Sequence, residues 1–143
     1  MVVNFKKINS NAVNPKYAKQ GDAGLDMTAV SIIETDKYIE YGTGISIQIP
    51  YGYVGLLFPR SSITNVDMLL KNSVGIIDSG YRSEIKFRFL DIGKNSFTEN
   101  KNYKIGDRIG QLIIIPYPAI ELKEVDELSE SERGLGGYGS TGK

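Results

Sequence analysis

Cysteine and histidine are both missing from the 143 residues. Their absence excludes disulfide frameworks, thiol nucleophiles, imidazole bases and Cys/His zinc sites together. Any catalysis must therefore rest on carboxylates, hydroxyls, lysine, arginine or a hard metal. Net charge is missing too: 17 basic residues balance 17 acidic ones, so there is no broad basic field of the kind that binding to a nucleic-acid backbone requires. No apolar run approaches the roughly 18 residues of a membrane span, and the opening stretch MVVNFKKIN lacks the apolar core of a signal peptide. The expectation is a soluble intracellular protein with no nucleic-acid or membrane partner.

What is present suits a single domain: 41% of residues are hydrophobic and 24% charged, an ordinary globular composition. The periodicity is that of strands. KYIEYGTGISIQIP (37–50) and EIKFRFLDI (84–92) alternate, YGYVGLLFP (51–59) is short and apolar, and RIGQLIIIPYP (108–118) follows the turn-like NYKIGD. VGIID (74–78) and YRSEI (81–85) flank Ser79-Gly80, which reads as a hairpin. TNVDMLLKN (64–72) is the one candidate for a short helix. Many short strands with glycine-rich turns predict an all-β sandwich, jelly roll or small barrel. After Pro118 the acidic ELKEVDELSESERG (121–134) reads as a surface strand or connector.

Five stretches carry polar chemistry. The tail RGLGGYGSTGK (133–143) has five glycines in eleven residues, too much backbone freedom to hold one shape unaided, and GYGSTGK has the G-x-x-x-x-G-K spacing of a phosphate-cradling loop. Backbone amides, hydroxyls and cations are what a polyphosphate asks for. PRSSIT (59–64) follows a strand and is either a serine-rich turn or a phosphate clamp built on Arg60 and Ser61. In VGIIDSGYRSEI, Asp78 stands at a strand end beside a tight turn, as turn chemistry or as a carboxylate base, and Tyr81 offers a flat wall to a ring. AGLDMTA (23–29) and RIGQLII (108–114) each set one polar residue, Asp26 or Gln111, inside an apolar strand. Each is either a satisfied hydrogen-bonder or a site residue, while Arg108 reads as the structural partner of a carboxylate.

Taken in order, AGLDMTA, PRSSIT, VGIIDSGYRSEI, RIGQLII and RGLGGYGSTG resemble the five motifs of the trimeric dUTPase family across residues 23–142. The resemblance implies a distorted jelly-roll β-barrel over residues 1–132 and a mobile glycine-rich arm over 133–143. It also implies a homotrimer whose sites draw on several subunits. The implied reaction is dUTP plus water to dUMP plus pyrophosphate, with Mg²⁺ bridging the triphosphate.

By the same resemblance Asp78 matches the water-activating carboxylate, Asp26 a carboxylate that reaches Mg²⁺ through water, and Gln111 the polar strand residue of the fourth motif. Arg60, Ser61 and Ser62 match a phosphate clamp, and Arg133, Gly139, Ser140 and Thr141 the phosphate contacts of the arm. Asn72 matches an amide facing uracil, with backbone near Gly75, Ile76, Ile77 and Lys86 completing the edge of the base. Tyr81 matches the aromatic under deoxyribose, and Tyr138 stands where the arm usually offers Phe. The sequence departs from the pattern at Ser62 and Ser83, where Gly is usual, and at Gly110, where Ala is usual. Location follows as cytoplasmic, or host-cell cytoplasm or nucleus for a viral source. Two rival classes are a dCTP deaminase, which shares the fold but needs a glutamate-based site, and a nucleotide-dependent regulator that uses the pocket as a switch for a protein partner.

Overall fold

A computed structural model of the chain describes residues 1–93 and 102–137. Its strands are β1 (Asn4–Lys7), β2 (Leu25–Thr28), β3 (Ser31–Glu34), β4 (Ile39–Gln48), β5 (Tyr53–Phe58), β6 (Met68–Leu70), β7 (Gly75–Ile77), β8 (Glu84–Asp91) and β9 (Arg108–Pro116). They form two antiparallel sheets. The first runs β1-β4-β8-β6, with β3 also paired to β4, and the second runs β2-β9-β5-β7. The long β4 serves two partners along one edge: its first half pairs with β3 and its second with β1.

Alternation decides which faces meet. In β8, Ile85, Phe87 and Phe89 are buried while Lys86, Arg88 and Leu90 are exposed, so one face of the first sheet turns inward and the other carries charge. The inward face meets Leu57, Ile77 and Leu112 of the second sheet in one continuous core. Tyr41, Phe89 and Tyr103 pack there edge-on or tilted, and the Tyr41 hydroxyl donates to the carbonyl of Tyr103 at 2.9 Å. Burial pushes the Tyr41 phenol up to about 12. The jelly-roll expectation holds as two facing antiparallel sheets, without closure into a continuous barrel among the described residues. No helix among them is long and apolar enough to cross a membrane.

Two local expectations fail. The helix expected over 64–72 is instead a 3-10 turn at Ser61–Asn65 followed by β6. Val66 is already extended, and Met68, Leu69 and Leu70 pair with Asp91, Leu90 and Phe89 at the sheet edge, so tertiary pairing overrides the local helical pattern. The hairpin across Ser79-Gly80 is also absent. The tight turn exists, with the Tyr81 amide donating to the Asp78 carbonyl at 3.0 Å, but the strands flanking it enter different sheets. β7 pairs with β5, whereas β8 pairs with β4 and β6. The segment 121–134 is a connector, exposed and without strand.

Candidate functional site

The residues singled out by sequence gather in two separate clefts. The first, about 410 Å³, is lined by Asn72, Gly75, Ile77, Tyr81 and Lys86, together with Glu40, Lys71 and Arg88. Its floor comes from Leu57 and Phe87, one from each sheet. The change of sheet at the Asp78–Tyr81 turn is what opens it. The turn is pinned by Arg82, whose Nη1 donates to the carbonyls of Ser79 at 2.6 Å and Tyr81 at 2.8 Å. The Tyr81 hydroxyl donates to the Glu84 carbonyl at 2.8 Å, which fixes the ring at the rim, 38% exposed. Asp78 and Ile76 are exposed beside it, outside the lining.

Asn72 is followed by Ser73, which has φ 59 and is the one non-glycine residue with positive φ among those described. A left-handed non-glycine residue of this kind is uncommon and marks a backbone held by its surroundings. Ser83 carries no such φ, so the usual glycine is not required there.

The second cleft, about 400 Å³, is lined by Gly24, Asp26, Arg60, Ser61 and Gln111, with Asp22 at its border. Asp26 and Gln111 are direct partners in the β2–β9 ladder, so the two polar residues share one rung and one face. Asp26 is 8% exposed, and both its oxygens are taken: Arg60 Nε donates to Oδ1 at 2.7 Å and Arg108 Nη1 to Oδ2 at 2.9 Å. Arg108 is the structural partner expected from sequence, and Arg60 joins it. Gln111 Nε2 donates to the Pro59 carbonyl at 3.1 Å, tying β9 to the residue before Arg60. A Cβ on Gly24 would lie 2.3 Å from Gln111 Oε1, so only glycine leaves that side chain its place. Ser62 lies in the 3-10 turn behind Ser61.

Arg133 belongs to neither cleft. It opens an exposed turn in which Gly134 has φ 54 and the Gly136 amide donates to the Arg133 carbonyl at 3.0 Å. Tyr138, Gly139, Ser140 and Thr141 lie outside the described residues.

Glu40 was not singled out by sequence. It is 6% exposed, and its oxygens accept from Lys86 Nζ at 2.7 Å and Arg88 Nε at 2.8 Å. The Lys86 contact holds its carboxyl below the usual carboxylate range, with burial opposing and Arg88 assisting. Lys86 is pushed up by the same contact. A sequence signal existed: Glu40 alternates out of phase with Ile39 and Tyr41, as Lys86 and Arg88 do with Phe87. Matching them needed the β4–β8 register.

The dUTPase family model matches residues 10–142. A deoxyuridine 5'-triphosphate nucleotidohydrolase of Clostridium kluyveri is 42% identical over 140 residues, covering 96% of this chain and 95% of that protein. The Staphylococcus bacteriophage 80alpha dUTPase, solved with dUPNHPP, superposes with a TM-score of 0.84 at 28% identity and covers 99% of each chain. A D95N mutant dUTPase from phage phi11 of S. aureus, which coordinates a structural Mg(II) ion, shares the fold with a TM-score of 0.73. It is 24% identical and covers 89% of this chain and 98% of that one.

Proposed function

The chain belongs to the dUTPase family, and from that premise we propose that it hydrolyses dUTP to dUMP and pyrophosphate at a site assembled from both clefts. The observation that carries this reading is the first cleft, where an amide at Asn72, the short β7 backbone and the Tyr81 ring surround a space sized for a nucleoside. Uracil meets Asn72 and the backbone edges at Gly75, Ile76, Ile77 and Lys86, and deoxyribose packs on Tyr81, which leaves no room for a 2′-hydroxyl. Arg60, Ser61, Ser62 and Gln111 supply donors for the triphosphate.

Asp78 holds the attacking water and takes its proton as the bond to the α-phosphorus forms and the bond to the pyrophosphate oxygen breaks. Its exposed position beside the cleft leaves the carboxylate open to that water.

The donor set fits Mg²⁺ carried on the substrate. Among the described residues no group of three or more Asp, Glu, His or Cys side chains could cage a metal, and the two Asp26 oxygens each hold a guanidinium. Asp26 keeps lone pairs for ordered water, the ligand Mg²⁺ gives up least readily. Bound on the triphosphate, the ion would supply charge neutralisation at the transferring phosphoryl group.

Membership of the family supports a homotrimer, in which the first cleft of one copy and the second cleft of another serve one nucleotide. An apolar groove lined by Val3, Phe5, Tyr17 and Ile114, and the exposed Ile120, Leu122 and Leu128, support self-assembly. The segment 133–143 acts as an arm whose Arg133, Gly139, Ser140 and Thr141 contact phosphate and whose Tyr138 stacks on the base. The enzyme works in the cytoplasm on the nucleotide pool. Purified protein given dUTP and Mg²⁺ is expected to release pyrophosphate and dUMP. Release of ammonia from dCTP, or dUTP binding without turnover, would overturn this assignment.

A further inference from the structure

Glu40 is a buried carboxylate that the reaction above does not use. It sits on β4 directly opposite Arg88, and the next rung on the same face pairs Gly42 with Lys86. That face is the charged, outer one, because Ile85, Phe87 and Phe89 take the inner. Both oxygens of Glu40 are engaged by these two side chains, each below 3 Å.

The contacts extend in both directions. Lys86 Nζ also lies 3.9 Å from Glu84 Oε2, and Glu84 Oε1 accepts from the Gly44 amide at 2.7 Å, where the β4–β8 register shifts. The Arg88 guanidinium lies 4.5 Å from the centre of the Tyr38 ring, and Lys71 Nζ lies 5.4 Å from the same ring. Glu40, Lys71, Lys86 and Arg88 then line the same cleft as Asn72 and Tyr81.

An ion pair whose cations stay 39% (Lys86) and 54% (Arg88) exposed adds little to stability. It is an effective one for fixing long side chains: free Lys and Arg have many rotamers, and a single carboxylate between them leaves each one geometry. We propose that Glu40 is a positioning residue for the base-and-sugar end of the site. By holding Lys86 and Arg88 along β8, it keeps the wall they share with Asn72 and Tyr81 in one arrangement before the nucleotide arrives. The proposal rests on the reading of this cleft as the nucleoside end of a dUTP site. Its consequence falls on ground-state binding rather than on the chemical step that Asp78 serves.

Glu40→Gln keeps the shape and removes the charge. In steady-state turnover of dUTP the variant is expected to raise KM about tenfold while kcat changes less than about threefold, the pattern of lost uniform binding. Affinity for dUMP, which carries base and sugar without pyrophosphate, should fall by a similar factor in calorimetry. Arg88→Gln, on a side chain 54% exposed, should raise KM in the same direction. The double variant should lose less than the product of the two, because both changes remove one contact.

A folded Glu40→Gln with unchanged KM and dUMP affinity overturns the proposal, as does a loss confined to kcat. Should Glu40→Gln fail to fold, Arg88→Gln decides alone, and an unaltered KM there is equally fatal. Failure of the wild-type chain to turn over dUTP is a different result: it removes the dUTPase reading of the cleft itself.

Discussion

Two carboxylates of similar sequence context have opposite surroundings, and their variants should differ accordingly. Asp26 is buried with a guanidinium on each oxygen, whereas Asp78 is exposed on a turn. Asp78→Asn is expected to lower kcat by about 10²- to 10⁴-fold and to leave binding of dUPNHPP nearly unchanged. Near-wild-type turnover would show that another group activates the water. Asp26→Asn should instead lower stability by about 1–3 kcal/mol, the range for a buried amide N–H left facing a guanidinium donor with no acceptor, read as a shifted denaturant midpoint. Glu40 adds a pH signature. Its folded pKa is depressed from 4.5, so its contribution is present above that value and is lost as pH falls through the lower folded one. Wild-type melting temperature should therefore fall more steeply below about pH 4.5 than that of Glu40→Gln. Parallel curves would mean that the ion pairs add nothing to folding.

Elements were legible where one face alone was buried. The alternating β8 and the apolar β5 and β9 follow their sequence patterns closely, because a period of two leaves one register. β1 is exposed throughout and β6 is three residues long, so neither offers a pattern, and both exist through pairing with distant strands. The false hairpin has the same cause: the Asp78–Tyr81 turn is local, but which sheet each flank joins is decided by β5 and β4. Asp26 and Gln111 were legible as polar residues in apolar strands, yet their meeting on one rung required the β2–β9 ladder. Gly110 shows how a departure from the family pattern makes sense only in three dimensions. A Cβ there would lie 2.2 Å from Phe87 Cε1 and 2.9 Å from the Phe58 carbonyl, and the Phe87 ring is fully buried beside Phe89. Glycine on β9 is the complement of phenylalanine on β8. Restoring the family's alanine, Gly110→Ala, is expected to destabilise the chain by about 1–3 kcal/mol through overpacking. Gly110→Ala combined with Phe87→Leu should recover part of that loss in the same unfolding assay, and a neutral Gly110→Ala would mean that the ring shifts freely.

At the scale of the whole molecule the unexplained feature is the separation of the clefts. Asp78 sits beside the first and Arg60 lines the second, and the two linings share no residue. The homotrimer reading has Asp78 and Arg60 of a working site come from different copies of the chain, and complementation between variants tests it. Asp78→Asn removes the base, and Arg60→Ala removes a phosphate donor while Arg108 remains on Asp26. Each variant alone should be nearly inactive, with a thermal melt showing that it is folded. The two are then unfolded together and refolded in equal amounts. Random mixing makes about three-quarters of trimers mixed, and in a closed three-fold ring every mixed trimer has one site in three with both groups intact. About a quarter of wild-type kcat should therefore return at saturating dUTP. Separately refolded variants combined afterwards should show no recovery unless subunits exchange. If Asp78 and Arg60 of the same chain meet in one site, no mixture contains an intact pair, and activity stays at the level of the parents even when native mass spectrometry shows mixed trimers. That outcome would place each site within one chain.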